Sequence, residues 1–130
     1  MARKGETRTL VRRADDAAAR AVAAGTATDM QVLLGEAEGA PNFAMRRFRM
    51  GPGGGMPLHT NAVEHEQYVL RGRARVTVGN EVHEVREATV LLIPAGIPHS
   101  YEVLEAPFEF LCLVPNLKDE IKLVPGRAGT

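Results

Sequence analysis

The sequence predicts an all-β protein, a jelly-roll barrel (double-stranded β-helix) with one short helix near its N-terminus. After Thr28 the chain divides into many short apolar and β-branched runs, which are separated by clusters of Gly, Pro and Asn. Gly79 and Asn80 stand between two alternating runs and form a two-residue hairpin sequence. Regularly spaced short strands with little helix are typical of an antiparallel sandwich or barrel, here of a jelly roll.

Each element follows from a local pattern. A helix is predicted over residues 15–24, where Asp15 or Asp16 caps an alanine-rich run and Gly25 ends it. Eight short strands follow, over residues 30–34, 43–50, 66–70, 74–78, 81–85, 89–93, 100–104 and 108–114. Because no internal repeat marks a second barrel, we expect an arm with the helix over residues 1–28, one barrel over residues 29–116, and a tail over residues 117–130.

Composition excludes several classes of function. The chain has 130 residues, of which 45% are hydrophobic and 25% charged, as in an ordinary globular domain. Its formal net charge is zero, so no basic excess exists to neutralise phosphates and nucleic acid is not an expected partner. No apolar run approaches the roughly 20 residues of a membrane helix, and no apolar signal core is present. With one cysteine, Cys112, an internal disulfide is excluded, and we expect a cytoplasmic protein without membrane contact.

Three of the four histidines lie in two segments framed by glycine and proline. His59 and His65 fall within residues 53–72, and His99 ends the segment 93–99. Imidazole is a common ligand of transition metals, and a metal site needs donors from separate segments. The pattern predicts one divalent metal per chain, with Fe, Mn, Zn, Ni and Cu all compatible. His83 lies in a strand outside both segments and is predicted to be a surface residue.

Strand alternation extends this predicted site. Residues two apart on a strand share a face, so Asn61 is expected beside His59. Its amide oxygen is either a weak fourth ligand, or the position stays open to water or substrate. By the same alternation, and because one arginine of the basic strand 46–49 can bind a carboxylate, the substrate pocket is predicted to include Gln67, Tyr101, Phe110, Cys112 and Arg47. For Gln67, Tyr101 and Cys112, the alternative is a packing role.

At these motifs the chain resembles the cupin superfamily. The first cupin motif, G-x5-H-x-H-x3,4-E-x6-G, is met by Gly53, His59 and Gly72, with Asn61 and His65 in place of its second histidine and its glutamate. The second motif, G-x5-P-x-G-x2-H-x3-N, is met at its central positions, Pro94, Gly96 and His99, while Ala88 and Val103 replace its two ends. Over roughly three quarters of its length, the chain is most similar to small single-domain conserved-barrel (cupin 2 type) proteins with several histidine ligands.

The resemblance implies a metal near the mouth of a jelly-roll barrel and a small-molecule ligand or substrate. The function it favours is a metal-dependent, oxygenase-type enzyme that acts on a small organic molecule. A metal- or small-molecule-binding sensor or accessory protein without turnover, and a metal-assisted isomerase or hydrolase, are the alternatives, because one fold hosts many functions. No residue is singled out as a catalytic base. Small cupins commonly pair through a barrel edge, so we expect a homodimer.

Overall fold

A computed structural model describes residues 8–125 and shows an all-β chain, which confirms the predicted fold class. Two three-residue 3₁₀ turns, Ala14–Asp16 and Glu36–Glu38, are its helical elements. The strands are β1 (Ala19–Ala21), β2 (Thr26–Leu34), β3 (Phe43–Thr60), β4 (His65–Val78), β5 (Glu81–Arg86), β6 (Val90–Ile93), β7 (His99–Pro115) and β8 (Lys122–Leu123).

The helix predicted over residues 15–24 is wrong. A 3₁₀ turn occupies its start, and β1 follows, with Ala19–Ala21 paired antiparallel to residues 29–31 of β2. The Gln31 side-chain amide donates to the carbonyl oxygens of Ala14 at 3.1 Å and Ala17 at 2.8 Å. An alanine-rich run has high helix propensity but little apolar surface to bury, and most helix stability in proteins comes from such packing. Pairing with an existing strand edge therefore prevails here.

The strands form one curled antiparallel arrangement in the order β1-β2-β3-β7-β4-β5, with β6 paired to β4 and β8 to β3. Four of the predicted strands are halves of longer ones: residues 66–70 and 74–78 both lie in β4, and residues 100–104 and 108–114 both lie in β7. The register between β4 and β7 shifts at Arg71 and Arg73, on either side of Gly72. Each long strand bends at such irregularities, and this bending lets one strand serve both sheets of the barrel. The predicted hairpin at Gly79 is confirmed by the pairing of Val78 with Glu81.

The core lies between the curled sheets and continues into a cavity at one end. Met50, Val69, Val76 and Phe108 are fully buried in it. Four residues of this buried core also line the cavity, namely Met50, Met56, Tyr101 and Phe110. The site therefore has an apolar base that belongs to the core of the fold.

The segment after β7 returns to the mouth of the barrel. β8 pairs with His59 and Thr60 of β3, and the backbone N–H of Val124 donates to the Leu58 carbonyl at 3.0 Å. This return places Asp119 and Ile121 on the cavity wall. Part of the predicted tail is thus a built element of the site, whereas residues 126–130 and 1–7 lie outside the described residues.

Three further predictions concern membrane helices, the division of the chain and its oligomeric state. Across residues 8–125 the chain forms no helix with the length and apolarity required to cross a bilayer. The division into arm, barrel and tail stays a prediction, and so does the homodimer.

Gly72 offers a test of the strand bend. Its φ is +81°, and a Cβ at this position would collide with the Pro107 carbonyl oxygen and lie 2.7 Å from that of Glu105. Gly53 has a similar φ of +72° but nothing within 4 Å of its added Cβ. We expect Gly53→Ala to cost about 1 kcal/mol of unfolding free energy, the usual left-handed penalty, and Gly72→Ala to cost about 2–4 kcal/mol because backbone must also move. Urea denaturation measures both, and equal losses would contradict the collision.

Candidate metal centre

Three histidines from three strands converge at the mouth of the barrel. His59 is near the end of β3, His65 begins β4 and His99 begins β7, and His59 is the direct register partner of His99. Their ring centroids are 4.2 Å apart for His59 and His99, and 6.0 Å apart for His65 and His99. All three side chains are buried, with at most 6% of their surface exposed. The structure therefore brings together the three histidines that the sequence singled out.

Backbone carbonyls orient two of these rings. His59 Nδ1 lies 2.7 Å from the Pro57 carbonyl oxygen, and His99 Nδ1 lies 2.9 Å from that of Ile97. Because a carbonyl oxygen only accepts hydrogen bonds, Nδ1 carries the proton in each neutral ring, and Nε2 keeps its lone pair. In metal sites, such a bond from the second ring nitrogen commonly fixes the tautomer and direction of a ligating histidine.

His65 and Asn61 each hold a buried polar atom without a hydrogen-bond partner among the described residues. His65 Nε2 has no hydrogen-bond partner among the described residues, while its Nδ1 lies 3.4 Å from the Cys112 Sγ. Asn61 Oδ1 is likewise buried and unpartnered. Leaving a buried polar atom unpaired costs roughly 1–3 kcal/mol, so two such atoms in one small region need an explanation.

Asp119 determines which end of the Asn61 amide is left free. The Asn61 Nδ2 donates to Asp119 Oδ2 at 3.0 Å, and Asp119 Oδ1 accepts from the backbone N–H groups of Ala62 and Glu120, both at 2.8 Å. Since a carboxylate only accepts, the amide nitrogen must face Asp119 and the oxygen must face away. Sequence analysis missed Asp119, because it lies 58 residues beyond Asn61 in the predicted tail and no motif marks it.

The donor set fits a divalent transition metal. It consists of Nε2 of His59, His65 and His99, with Asn61 Oδ1 as a fourth oxygen donor, and imidazole with a neutral oxygen suits several such metals. In the part of the chain that the structure describes, however, no group of three or more His, Cys, Asp or Glu side chains is arranged so that it could hold a metal ion as it stands. Metal binding by these residues therefore stays a prediction.

A cavity of about 400 Å³ adjoins the histidines. Phe110 stacks between Phe48, with centroids 5.1 Å apart, and Tyr101, with centroids 5.4 Å apart, and both ring pairs are nearly parallel. Gln67 accepts a hydrogen bond from the Tyr101 hydroxyl at 3.0 Å through its Oε1. Gln67, Tyr101 and Phe110, three of the five predicted pocket residues, line this cavity, and their contact with a substrate stays a prediction.

Two of the predicted pocket residues do not line the cavity. Arg47 points outward, with its Nη2 2.8 Å from Asp15 Oδ1 and its Nε 2.7 Å from Gln31 Oε1. Its neighbour Arg46 lines the cavity instead. Strict alternation counted back from His59 would turn Arg47 inward, but between Met56 and His59 the strand β3 spans three residues against two of β7. This bulge exchanges the two faces of the strand.

Cys112 lies behind the cavity wall and not on it. Its Sγ is 3.3 Å from Arg46 Nη2 and 3.6 Å from Gln67 Nε2, and the side chain is fully buried. Burial raises the pKa of the Cys112 thiol, although Arg46 opposes the change. A buried, protonated thiol packs as a small apolar group. His83, in contrast, is exposed on β5 beside the Glu81 carboxylate, at 2.8 Å, as predicted for a surface residue.

Burial favours the neutral forms of His65 and His99. Desolvation, together with the nearby charges of Arg46 and His99, lowers the pKa of His65 to about 3. Desolvation also lowers the pKa of His99 to about 4, against the opposing effect of its bond to the Ile97 carbonyl. Desolvation raises the pKa of the Tyr101 phenol far above its ordinary value, so this hydroxyl stays protonated. At neutral pH the site therefore presents uncharged nitrogen and oxygen donors.

These shifts predict a loss of stability in acid for the metal-free protein. The ordinary histidine pKa is 6.5, so below it the unfolded chain binds protons that folded His65 and His99 do not. The free energy of unfolding is then highest above pH 6.5 and falls as the pH drops toward 4. We expect urea midpoints of chelator-treated protein to fall between about pH 7 and about pH 5, and to fall less in His65→Gln. The exposed His83→Gln variant is the control and should follow the wild type; equal acid sensitivity of His65→Gln would contradict the assignment.

Comparisons with known proteins place these residues in a family. The family model of the cupin domain matches residues 46–114. Oxalate decarboxylase OxdC of Bacillus subtilis (strain 168) is 33% identical over 86 residues, which are 62% of this chain and 22% of that protein. The 1-methylthio-D-xylulose 5-phosphate methylsulfurylase of Rhodospirillum rubrum is 30% identical over 80 residues, 61% of this chain and 51% of that one. The chain thus spans about a fifth and about half of these two relatives.

Two solved structures are similar over nearly the whole chain. The polyketide cyclase RemF of Streptomyces resistomycificus superposes with a TM-score of 0.84 and 25% identity, over 93% of this chain and 89% of that one. A cupin-2 domain protein of Rhodospirillum rubrum superposes with a TM-score of 0.74 and 26% identity, over 94% and 83% of the two chains. Because residues 46–114 are more than half of the chain and include all three cavity histidines, this protein belongs to the cupin family.

Proposed function

We propose that this chain is a metal-dependent enzyme that promotes enolisation, isomerisation or ring closure of a small aromatic carbonyl compound. One observation carries the proposal: unpaired neutral donors of His65 and Asn61 lie beside a cavity whose wall is a stack of three aromatic rings. The donors point to a cation, and the ring stack points to a planar, largely apolar ligand.

The histidines and Asn61 would hold the metal through the atoms named above. A bound divalent metal would supply Lewis-acid polarisation of a carbonyl oxygen without redox change. The chain itself keeps the donors in position: the Pro57 and Ile97 carbonyls hold the rings of His59 and His99, and Asp119 holds the Asn61 amide. Because two of these supports are backbone carbonyls and the third is a carboxylate fixed by hydrogen bonds to Asn61, Ala62 and Glu120, they are in place before any ligand arrives.

The cavity accounts for selectivity by shape. Its volume of about 400 Å³ is in the range of pockets for small organic ligands. The stacked rings of Phe48, Phe110 and Tyr101 make this part of the wall apolar and aromatic, and the Tyr101 hydroxyl donates its hydrogen bond to Gln67. Ile121, from the returning C-terminal segment, borders the same cavity. A planar compound with a carbonyl group near the histidines fits these surfaces.

The polyketide cyclase supports a reaction of this class. Its similarity covers about nine tenths of both chains, whereas that of oxalate decarboxylase covers 22% of the latter. Ring closure in a chain of ketone groups needs an activated carbonyl and a cavity that excludes water, and both are features of the proposed site. The cyclase is therefore the better guide to substrate type.

An oxygenase-type reaction is the second candidate. Three imidazoles and an amide leave the charge of a divalent metal uncompensated, and such a set retains positions for further ligands. Beside the amide oxygen of Asn61, such a metal would have room for a further oxygen ligand, which in an oxygenase is O₂. Consumption of O₂ is the property that separates this candidate from the first.

Metal binding is tested by removing one donor at a time. We expect about one divalent transition metal per chain in protein purified without chelator or metal-affinity resin. Alanine at His59, His65 or His99 should weaken metal binding by about 100-fold. The loss of a residue that only hydrogen-bonds a metal ligand already lowers metal affinity by about 10–100-fold. His83→Ala is the matched control and should bind as the wild type does. Elemental analysis and calorimetric titration give the readouts, and equal losses in all four variants would reject the ligand set.

The reaction class is tested without oxygen. Metal-loaded protein and an aryl 1,3-diketone, such as benzoylacetone, are mixed in D₂O, and exchange of the proton between the carbonyls is followed by NMR. We expect faster anaerobic exchange than with the His99→Ala variant, because a polarised carbonyl makes that proton more acidic. O₂ consumption with no anaerobic exchange would instead favour the oxygenase. If the diketone binds but neither occurs, the enzymatic proposal fails in favour of a binding module.

A further inference from the structure

Arg46 lies in the wall of the cavity, and its guanidinium has no carboxylate partner among the described residues. Its Nη2 lies 3.3 Å from Cys112 Sγ and its Nη1 lies 4.0 Å from Met30 Sδ, both of which are weak partners. Its Nε is buried and has no hydrogen-bond partner among the described residues. The guanidinium carbon lies 5.1 Å from the centre of the Phe48 ring, within the range of a cation–π contact.

Arg46 differs in this respect from half of the ten other arginines within residues 8–125. Within residues 8–125, five of them form ion pairs with Asp or Glu, namely Arg12, Arg47, Arg71, Arg73 and Arg75. None of the ion pairs formed in that part of the chain includes Arg46. Yet Arg46 is the one of three arginines on its strand segment that lines the cavity. A partly buried cation without a counter-ion costs stability, so its retention indicates a ligand that pairs with it.

The described residues around the cavity leave an excess of positive charge. Imidazole, carboxamide and phenol groups carry no negative charge at neutral pH, so the histidines, Asn61, Gln67 and Tyr101 supply no counter-ion for Arg46. Of the described residues, Asp119 is the one acidic residue on the wall, and its carboxylate accepts hydrogen bonds from Asn61, Ala62 and Glu120 and not from Arg46. Arg20, an exposed residue at the same cavity, adds a further positive charge. Within residues 8–125 the wall therefore carries two guanidinium groups against one carboxylate, and its net charge is positive.

We propose that Arg46 binds a carboxylate of the substrate, which makes the natural ligand an aromatic carboxylic acid. This inference rests on the proposed function for the identity of the site, and it adds the charge of the ligand. A guanidinium is a planar fork that pairs with a carboxylate through two parallel hydrogen bonds, and the Nη groups of Arg46 contact only sulfur atoms here. The sulfur partners of Arg46 are weak enough to be exchanged for carboxylate oxygens.

The position of Arg46 also orients the ligand. A planar ring seated beside the stacked aromatic side chains keeps a carboxylate at the Arg46 end, next to Phe48. The rest of the ligand then extends along the wall toward Tyr101 and the histidines, which border the same cavity. Arg46 thus acts as a specificity-determining residue, and the proposed metal site receives the opposite part of the molecule.

The test compares two probes of the same shape, 2-naphthoate and 2-naphthamide. Calorimetric titration of the protein as purified should give a dissociation constant about tenfold lower for the carboxylate, from a charged, bidentate pair. In Arg46→Met, which keeps length and apolar packing, we expect this preference to disappear. Arg46→Lys should keep part of it, because the charge remains but the fork is lost. Arg47→Met, at the outward-facing neighbour, is the control and should keep the full preference.

A metal-free arm separates this inference from the proposed function. If Arg46 binds the carboxylate, the preference for 2-naphthoate over 2-naphthamide persists after chelation, even if the protein uses no metal. If the preference disappears on chelation but persists in Arg46→Met, the metal binds the anion and the assignment of Arg46 is wrong. Equal affinities of the two probes for the wild-type protein would also overturn it. Unchanged melting temperature and circular dichroism in the Met and Lys variants identify losses that are not caused by unfolding.

Discussion

The antiparallel pairing of β3 with β7 is the interaction on which the rest of this structure depends. It runs from the Phe43–Pro115 pair to the His59–His99 pair and joins the two longest strands. β4 pairs with the other edge of β7, but in that pairing Val78 lies opposite His99 and Glu66 lies opposite Leu113. The bending of these strands, and not their register, therefore brings the rings of His65 and His99 to a centroid distance of 6.0 Å. His59 and His99, about 40 positions apart in sequence, meet directly through the β3–β7 pairing. The histidine cluster needs no separate scaffold, and its geometry is as rigid as the barrel.

Irregularities in that same pairing decide what the cavity contains. Strand alternation assigns side chains to faces only while the register is regular. The bulge between Met56 and His59 turns Arg46, Phe48 and Met50 to the face that His59 occupies. One inserted residue thus gives the cavity an arginine and an aromatic ring, and sends Arg47 outward to pair with Asp15. The chemistry of the site follows from this local geometry as much as from residue types.

The site concentrates polar groups that the rest of the fold avoids. All three buried side-chain atoms that lack a partner within residues 8–125 belong to Arg46, Asn61 and His65, and all three residues line one cavity. Elsewhere the core is apolar or fully hydrogen-bonded, as folding energetics require. Unpaired donors and acceptors together in one cavity cost stability and are available to a ligand. Their mixture of lone pairs and one guanidinium is the basis for proposing both a cation and an organic anion there.

The sequence by itself predicted the strands and the Gly79 hairpin, because periodicity is a local property of the chain. It also indicated the family and singled out the three histidines, because motif spacing is read along the chain as well. The prediction from sequence is wrong for residues 15–24. Alanine propensity predicts a helix there, but the open edge of β2 provides hydrogen bonds for β1 instead. Only the tertiary structure decided that Arg46 enters the cavity, that Cys112 lies behind it and that Asp119 holds Asn61. A bulge changes the parity of a whole strand, and a returning segment joins residues 58 positions apart. Neither event leaves a periodic signal in the chain, since both depend on which strands pair and in what register.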